Sequence, residues 1–243
     1  MDSRNSTAIV TGAAKRVGAV VAEALQSDGW TVVAHVHHEG DTVGPGMTWV
    51  AADLGDADCA ERIFAAAEGL PPVRLLVNNA ARFAGDSVEA FSAREFDAHM
   101  AINVRSPALL TEAFAQRCDG HGLIVNLLDA KLKAPNPDFL SYTLSKYALA
   151  ALTELSARAL ADRGIRVCGI APALMLQSPG QSAANFEAAR SHNPLRRGVE
   201  PGDVVAALRY LIEANSVTGE VLTIDGGQHF WQIGRDVQFL EMK

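Results

Sequence analysis

Tyr142 and Lys146 are the residues whose types and spacing point most directly to chemistry. Because they are four positions apart, they lie on one face of any helix that contains both. A free tyrosine has a pKa of about 10, and a nearby ammonium favours the phenolate, so we expect Lys146 to lower the pKa of Tyr142. Tyr142 can then give a proton to a substrate atom as a hydride reaches the adjacent carbon. The same spacing also permits an ordinary pair on a solvent-facing helix.

A glycine-containing loop follows the first apolar run, Ala8–Val10, and opens the first helical pattern. Small residues let the backbone approach a pyrophosphate, whose charge is stabilised by the free N–H groups at a helix N-terminus. Two cations, Lys15 and Arg16, lie beside the loop and favour a phosphorylated cofactor. The alternative is a tight strand-to-helix turn without a ligand. The loop residues predicted to bind a cofactor are Gly12, Lys15, Arg16, Val17 and Gly18.

The end of the second predicted strand bears on which nicotinamide cofactor fits. An NAD enzyme usually presents an Asp or Glu there to the ribose hydroxyls. This chain instead reads His35, Val36, His37, His38, and only then Glu39. A carboxylate at the strand end would repel the extra ribose phosphate of NADP, so its absence favours NADP over NAD, although Glu39 just beyond weakens that preference. We predict that His37 and His38 contact the cofactor.

Three histidines this close together are also a candidate metal site. In an extended strand alternate residues face opposite sides, so His35 and His37 share a face while His38 does not. No obvious third ligand lies nearby in the sequence, and we predict that the protein binds no metal. After the third strand, Asp53 and Leu54 are predicted cofactor contacts. Asp53 can accept a hydrogen bond from the adenine amine, or it can cap the following helix.

The elements that must position these residues alternate along almost the whole chain. Apolar, β-branched runs are separated by longer helical patterns, which indicates a parallel sheet covered on both faces. Right-handed crossovers then give a doubly wound α/β fold with seven parallel strands, a Rossmann fold. The predicted strands are Ala8–Val10, Thr31–Ala34, Met47–Ala52, Val73–Val77, Leu123–Leu127, Ile165–Ile170 and Val221–Ile224. The predicted helices are Val17–Ser27, Asp58–Glu68, Ala93–Cys118, Ser141–Asp162 and Asp203–Glu213.

Size and composition exclude several classes of protein. The 243 residues fit one large domain, residues 1–243, with 49% hydrophobic residues, which argues against disorder. A formal net charge of -7 argues against a general nucleic-acid binder. No apolar run is long enough to span a bilayer, and Cys59, Cys118 and Cys168 lack the spacing of a zinc or disulfide framework. We therefore expect a cytoplasmic enzyme with a small-molecule substrate and no nucleic-acid or membrane partner.

Motifs along nearly the whole chain resemble those of the short-chain dehydrogenase/reductase family. Asn78-Asn79-Ala80 resembles the family's Asn-Asn-Ala-Gly element, with Ala81 in place of the glycine. Tyr142 and Lys146 match its Tyr-x-x-x-Lys element, which here follows the fifth strand of a Rossmann pattern. Asp225-Gly226-Gly227 resembles the turn after the family's last strand.

The resemblance implies roles for the matching residues. Asn79 and Ala80 would contact the cofactor, and Lys146 would hold the nicotinamide ribose beside Tyr142. Asn103, which resembles the family's Asn on the long helix before the fifth strand, would order a water that replenishes the proton. Together these roles imply an NAD(P)H-dependent reductase.

One departure from the family is more informative than the matches. Thirteen residues before its tyrosine the family carries a Ser that donates a hydrogen bond to a carbonyl oxygen, and this chain has Asp129 there. A carboxylate accepts hydrogen bonds, so it suits a substrate with N–H groups or a protonatable ring nitrogen better than a developing alkoxide. The alternatives are that the true serine lies elsewhere or that catalysis has been lost.

Arg16 and Asp129 narrow the resemblance to pteridine reductases and the bacterial dihydromonapterin and dihydrofolate reductases of this fold. Phe83 lies where those enzymes place an aromatic ring that stacks on the pterin, although it can also serve ordinary packing. Ala171-Pro172-Ala173-Leu174 resembles the Ala-Pro-Ser-Leu of the bacterial branch. Pro172 is therefore predicted to contact the cofactor and Leu174 the substrate. The predicted substrate-binding residues are Arg16, Phe83, Asp129, Tyr142 and Leu174.

The leading hypothesis is hydride transfer from NADPH to a C=N bond of a pterin-like ring: a dihydropterin, dihydromonapterin or dihydrofolate. Two departures bear on the cofactor: His37-His38 lacks the arginine of pteridine reductases, and Arg82 replaces a small serine. NADP(H) is still favoured over NAD(H). The second hypothesis is a carbonyl or 3-oxoacyl reductase of the same family, and the third is a non-catalytic NADP-binding sensor.

Two segments lie outside the regular pattern. Residues 173–200 are irregular and end in a weak helix, so we predict a substrate lid there. The tail, residues 228–243, is apolar at first and can pack on a neighbouring subunit or on its own domain. The resemblance also implies a homotetramer formed through the two long helices.

Overall fold

Seven short strands form the parallel sheet that underlies the molecule. The computed structural model describes residues 3–177, 181–231 and 234–239. The central strands are β-branched and buried on both faces, as expected of a sheet covered by helices. The strands are β1 (Thr7–Val10), β2 (Thr31–Val36), β3 (Thr48–Ala51), β4 (Val73–Asn78), β5 (Gly122–Leu127), β6 (Ile165–Pro172) and β7 (Val221–Ile224).

The strand order determines where a ligand binds. The sheet runs β3-β2-β1-β4-β5-β6-β7, and every pair is parallel. The chain moves outward from β1 in one direction and then outward from β4 in the other. This reversal leaves a crevice at the carboxyl ends of β1 and β4, where ligands of doubly wound sheets bind. The predicted Rossmann fold is confirmed.

Helices cover both faces of the sheet. One apolar layer packs α1 and α7 on one face, and the other packs α2, α4 and α5 on the opposite face. Alternation along β1 shows the two layers, because Ala8 and Val10 belong to the first and Ile9 to the second. The helices are α1 (Arg16–Ser27), α2 (Cys59–Ala65), α3 (Ala93–Met100), α4 (Ser106–Arg117), α5 (Leu140–Leu160), α6 (Ala183–Arg190) and α7 (Pro201–Glu213).

The structure differs from the sequence prediction in the bounds of several elements and in the burial of the edge strands. The long helix predicted from Ala93 to Cys118 contains a π-helical turn, Ala101–Arg105, between α3 and α4. Strand β2 continues to Val36, so His35 lies inside the sheet and not beyond it. The edge strands β3 and β7 are partly exposed, because each has a neighbour on one side only, and the expectation of strands buried on both faces was wrong for them. Within the described ranges, no helix is long and apolar enough to cross a membrane.

Candidate active site

Two adjoining cavities open at the carboxyl edge of the sheet. The first, about 580 Å³, extends from the glycine loop to Lys146 and is called here the cofactor cavity. The second, about 570 Å³, extends from the same loop to the end of the described chain and is called the substrate cavity. The two share a wall formed by Lys15, Arg16, Val17, Ala81, Phe83, Asp129, Tyr142, Ala173 and Met175.

Close packing of the backbone requires the glycines of this loop. Gly12 has a φ of +66°, and a Cβ on Gly18 would lie 2.1 Å from the Gly12 carbonyl oxygen. Lys15 precedes α1 without capping its N–H groups through its side chain. These free donors beside a closely approached backbone fit the pyrophosphate of a dinucleotide. Arg16 has a φ of 56°, strained for a side-chain-bearing residue, at the position where the family commonly has glycine.

His35 organises this loop, a role that sequence reasoning missed. Its Nδ1 accepts a hydrogen bond from the N–H of Gly12 at 3.1 Å, and its Nε2 donates to the carbonyl of Ala52 at 2.9 Å. Burial lowers its pKa, which keeps the ring neutral and so able to accept. With both nitrogens on the backbone, His35 has none left for a metal. The part of the chain that the structure describes holds no group of three His, Cys, Asp or Glu suited to a metal ion.

The structure separates the two histidines predicted to bind the cofactor. His37 lines the cofactor cavity, and its Nε2 lies 3.8 Å from the carboxylate of Asp53. His38 does not line the cavity and instead packs its ring 4.0 Å from that of His37. Asp53 and Leu54 both line the cavity. Asp53 also accepts a hydrogen bond from the N–H of Gly55 at 2.7 Å and closes a turn, but the N-cap of α2 is Asp58, so the alternative that Asp53 caps the following helix was wrong.

Asparagines at the ends of β4 and β5 join the central strands. Asn79 donates from Nδ2 to the carbonyl of Thr11 at 2.8 Å, holding the glycine loop against β4. Asn79, Ala80 and Pro172 line the cofactor cavity. Asn78 and Asn126 are directly paired across β4 and β5 and share a buried hydrogen bond of 2.8 Å. Sequence reasoning missed Asn126, because a single Asn in an apolar strand gives no pattern.

Asn103 lies in the π-helical turn and does not line either cavity. Its Oδ1 accepts a hydrogen bond from the N–H of Arg82 at 2.7 Å, and its Nδ2 donates to the Arg82 carbonyl at 3.0 Å and to Ser145 Oγ at 2.9 Å. The side chain thus holds the loop that carries Phe83 and joins it to α5. The described contacts give Asn103 a positioning role, and the predicted role in ordering a water stays a prediction.

Tyr142, Asp129 and Lys146 meet at the junction of the cavities. The Tyr142 hydroxyl donates to Asp129 Oδ2 at 2.8 Å, and the N–H of Lys131 donates to Asp129 Oδ1 at 2.8 Å. Lys146 Nζ donates to the carbonyl of Leu127 at 2.6 Å. It lies 5.6 Å from the centre of the Tyr142 ring. Helix α5 therefore presents Tyr142 and Lys146 on one face, as their spacing predicted.

The expectation that the pKa of Tyr142 is lowered was wrong in direction. Burial raises the pKa of Tyr142 well above its usual value, and the charge and hydrogen bond of Asp129 raise it further. Burial also raises the pKa of Asp129 and lowers that of Lys146 to about 8. Burial and the Asp129 carboxylate, which accepts the phenol hydrogen bond, act in the same direction and favour the protonated phenol. Tyr142 is therefore a proton donor held on Asp129.

Aromatic rings line the approach to Tyr142. Phe83 packs edge-on against Tyr142 with 4.8 Å between ring centres, and 4.5 Å separates it from Phe139. Phe83 is 45% exposed, so its ring forms an open wall and is not core packing. Leu174 lines the substrate cavity, and all five predicted substrate-binding residues are brought together there.

The substrate cavity ends against residues 234–239, called here the C-terminal segment. Arg235 and the N–H of Asp236 both bond Asp138, at 2.9 Å and 2.7 Å, and Lys131 Nζ lies 3.3 Å from Asp236. Phe239 stacks on Phe139 at 5.6 Å. This wall comes from the chain's own domain. Within the predicted lid and tail, residues 178–180, 232–233 and 240–243 lie outside the described residues.

Comparisons with known proteins agree with this geometry. Residues 12–229 match the family model described as Enoyl-(Acyl carrier protein) reductase. Pteridine reductase 1 of Leishmania tarentolae is 30% identical, covering 90% of this chain and 95% of its own length. Carbonyl reductase [NADPH] 2 of Sus scrofa is 32% identical, with 90% and 95% covered.

A solved structure extends the comparison to three dimensions. The crystal structure of FolM alternative dihydrofolate reductase 1 from Brucella suis, in complex with NADP, superposes with a TM-score of 0.87 and 35% identity. It covers 95% of this chain and 98% of that one. With the two-cavity site at the switch point of the sheet, these matches show that the chain belongs to the short-chain dehydrogenase/reductase family of oxidoreductases.

Proposed function

We propose that the protein is an NADPH-dependent reductase of a C=N bond in a pterin-like ring. The observation that carries the proposal is Asp129, a buried carboxylate hydrogen-bonded to Tyr142 on the wall that both cavities share. Such a group suits a ring nitrogen or N–H better than a carbonyl oxygen. The names of two relatives, pteridine reductase 1 and alternative dihydrofolate reductase 1, support the same substrate class.

The preference for NADPH rests on charge at the cofactor cavity. Lys15 and Arg16 line it, and no carboxylate stands at the end of β2, where His37 lines the wall instead. Asp53 also lines the cavity 3.8 Å from His37, and the carboxylate of Asp41 is bonded to the N–H of His38 just beyond β2. The Brucella structure in complex with NADP and the NADPH-named carbonyl reductase support this preference.

The reaction adds a hydride to carbon and a proton to nitrogen of the C=N bond. A reduced nicotinamide supplies the hydride. Tyr142 is held protonated, so its hydroxyl can give the proton at the substrate nitrogen. Asp129 accepts the phenol hydrogen bond as a carboxylate, and after the transfer its raised pKa lets it take a proton from solvent in the cavity and pass it to the phenolate oxygen. Phe83 positions the ring by stacking.

The proposal is tested with purified protein and NADPH. We expect the protein to oxidise NADPH when a dihydropterin or dihydrofolate is present. The oxidation is measured as the loss of NADPH absorbance. Tyr142→Phe keeps the ring packing and removes the proton, so kcat should fall by about 10²- to 10⁴-fold. The matched control is Tyr210→Phe, at an exposed position on α7, which should leave kcat unchanged. Turnover of a ketone alongside no turnover of any pterin would contradict the proposal.

A carbonyl or 3-oxoacyl reductase is the second candidate. It is favoured by the 32% identity to carbonyl reductase [NADPH] 2 over 95% of that protein. In that case Asp129 only substitutes for a serine, and ketone reduction should survive Asp129→Ser. Pterin reduction should not survive this substitution, because serine cannot take up a proton and pass it to the phenolate as the carboxylate can. NADPH binding without turnover of either substrate would instead support the non-catalytic NADP sensor.

A further inference from the structure

His229 folds back onto Asp225 immediately after β7. Gly226 and Gly227 have φ values of 60° and 83°, and these left-handed turns bring residue 229 over the strand end. The N–H of His229 donates to Asp225 Oδ2 at 2.8 Å, and the Nδ1 atom lies 2.6 Å from the same oxygen. The N–H of Gly227 donates to Asp225 Oδ1 at 2.9 Å. Asp225 Oδ2 thus contacts both the backbone N–H and the imidazole of His229.

Asp225 fixes the tautomer of His229 as well as its position. Burial alone would raise the pKa of Asp225, but hydrogen bonds from His229 and Gly227 outweigh burial and lower it. An ionised carboxylate only accepts hydrogen bonds, so Nδ1 carries the proton and Nε2 is left to hydrogen-bond a ligand. In the described part of the chain, Nε2 has no hydrogen-bond partner.

His229 lies away from the reacting bond. His229 lines the substrate cavity and does not line the cofactor cavity. Hydride and proton transfer must occur at the shared wall, which holds Tyr142 and Asp129. His229 therefore meets a substituent of the substrate and not the C=N bond. We call this region the outer part, and among its residues are Lys131, Asn136, Gln228, His229, Trp231 and Asp236.

The charges of the outer part select the chemistry of that substituent. Its ammonium, Lys131, lies 3.3 Å from Asp236 and is neutralised by it. Asp225 adds a second carboxylate. An anionic substituent would thus meet a net negative wall, whereas a neutral hydroxyl can donate to Nε2.

We propose that His229, oriented by Asp225, is a specificity-determining residue that accepts a hydrogen bond from a hydroxyl on the side chain of the pterin-like substrate. The proposal rests on the proposed function and deepens it. The test compares a dihydropterin with a hydroxylated side chain and a methyl-substituted dihydropterin that lacks the hydroxyls. His229→Phe removes the acceptor and keeps a ring. KM for the hydroxylated compound should rise about three- to tenfold, while kcat for both compounds and KM for the methyl compound stay unchanged.

Two variants provide the controls. His229→Gln restores an acceptor, so it should recover part of the lost affinity for the hydroxylated compound. His121→Phe makes the same change just before β5, at the amino-terminal ends of the strands and opposite the two cavities. It should alter the KM of neither compound. A change in KM that is equal for both compounds, or no change for either, would overturn the proposal and leave the proposed function standing.

A second measurement does not depend on turnover. Nitrogen NMR of histidine-labelled protein, with the His229 signal assigned through His229→Phe, reports Nε2 directly. The hydroxylated compound should move that signal and the methyl compound should not. If His229→Phe fails to fold, His229→Gln supplies the assignment, and an unmoved signal in the saturated complex then overturns the proposal. If the unmodified protein neither binds nor reduces any pterin, the proposed function fails and takes this inference with it.

Discussion

The hydrogen bond from Tyr142 to Asp129 joins two buried groups that both resist ionisation. Burial raises both pKa values, and the negative charge of Asp129 holds the phenol proton more firmly still. Lys146 is also buried, and burial disfavours its ammonium form, which lowers its pKa to about 8. Of Lys146 and Tyr142, the lysine is therefore the group that titrates nearer neutrality.

The titration of Lys146 gives a direct prediction. Burial lowers its pKa to about 8, so the ammonium is charged below that pH and neutral above it. We expect kcat/KM for NADPH, which reports the free enzyme, to fall as the pH rises through about 8, because a neutral amine cannot attract the cofactor. Carbon NMR of labelled lysine, assigned with Lys146→Met, should show the same midpoint. A midpoint near the ordinary value of 10.5 would contradict the prediction.

Gly18 gives a prediction about the phosphate loop. A Cβ at this position would lie 2.1 Å from the Gly12 carbonyl oxygen and 2.5 Å from Asn79 Nδ2. Gly18→Ala should therefore cost about 1–3 kcal/mol of unfolding free energy and weaken NADPH binding, because the loop must open. Chemical denaturation and calorimetric titration measure the two effects. Gly40→Ala, where nothing lies within 4 Å, is the control and should leave NADPH affinity unchanged.

Among the secondary-structure elements, the π-helical turn between α3 and α4 connects these helices to the candidate active site. π-turns often occur at functional sites, and this one presents Asn103 to the backbone of Arg82 and to Ser145. The turn thereby connects three pieces: the helix from α3 to α4, the loop with Phe83, and α5. Displacement of any one of them would move Phe83 relative to Tyr142.

Removing the Asn103 side chain tests that connection. Asn103→Ala leaves the N–H and C=O of Arg82 without their partners, so unfolding free energy should fall by about 1–3 kcal/mol and kcat should fall with it. Thr111→Val on the adjoining α4 is the control, because its buried hydroxyl has no hydrogen-bond partner among the described residues. That variant should be neutral or stabilising in chemical denaturation. Equal destabilisation of both variants would argue against a special role for Asn103.

The C-terminal segment should affect substrate binding more than stability. Arg235 is 57% exposed in its ion pair with Asp138, so the pair contributes little to unfolding free energy. Arg235→Leu should leave the melting temperature nearly unchanged while KM for the substrate rises about fivefold, because Asp236 and Val237 move out of the cavity wall. Arg158→Leu, which breaks an exposed pair on α5, is the control and should leave KM unchanged.

The features that could be predicted were those that depend on periodic and local patterns in the sequence. The strand alternation, the spacing of Tyr142 and Lys146, and the glycine loop each depend on neighbours in sequence, and they identified the sheet and the centre of the site. The pKa of Tyr142 could not be predicted in that way, because it depends on which charge lies nearer in space. His35 and the C-terminal segment were missed for the same reason, since their partners are distant in the chain.

At the scale of the whole molecule, the two apolar layers leave long helices with exposed apolar side chains. On α5, Leu144, Tyr147 and Leu155 are exposed, and Leu155 reaches 63%. Such patches usually mark association surfaces, and the predicted homotetramer would cover them. Size-exclusion chromatography with light scattering should give four times the mass of 25.8 kDa. Leu155→Glu should lower that mass if α5 forms the interface, and a monomeric parent protein would contradict the prediction.

The way the substrate cavity is walled has a consequence for how such enzymes diverge. Its outer part is built largely from segments beyond β5 and β7 that add no strand to the sheet. Substitutions there leave the apolar layers and the glycine loop untouched, so a change of preferred substrate carries little cost to folding. Descendants of one ancestral chain can therefore exchange substrates through a few late residues while inheriting the cofactor cavity intact. The residues that can change the preferred substrate are therefore different from those that the fold and the cofactor cavity require.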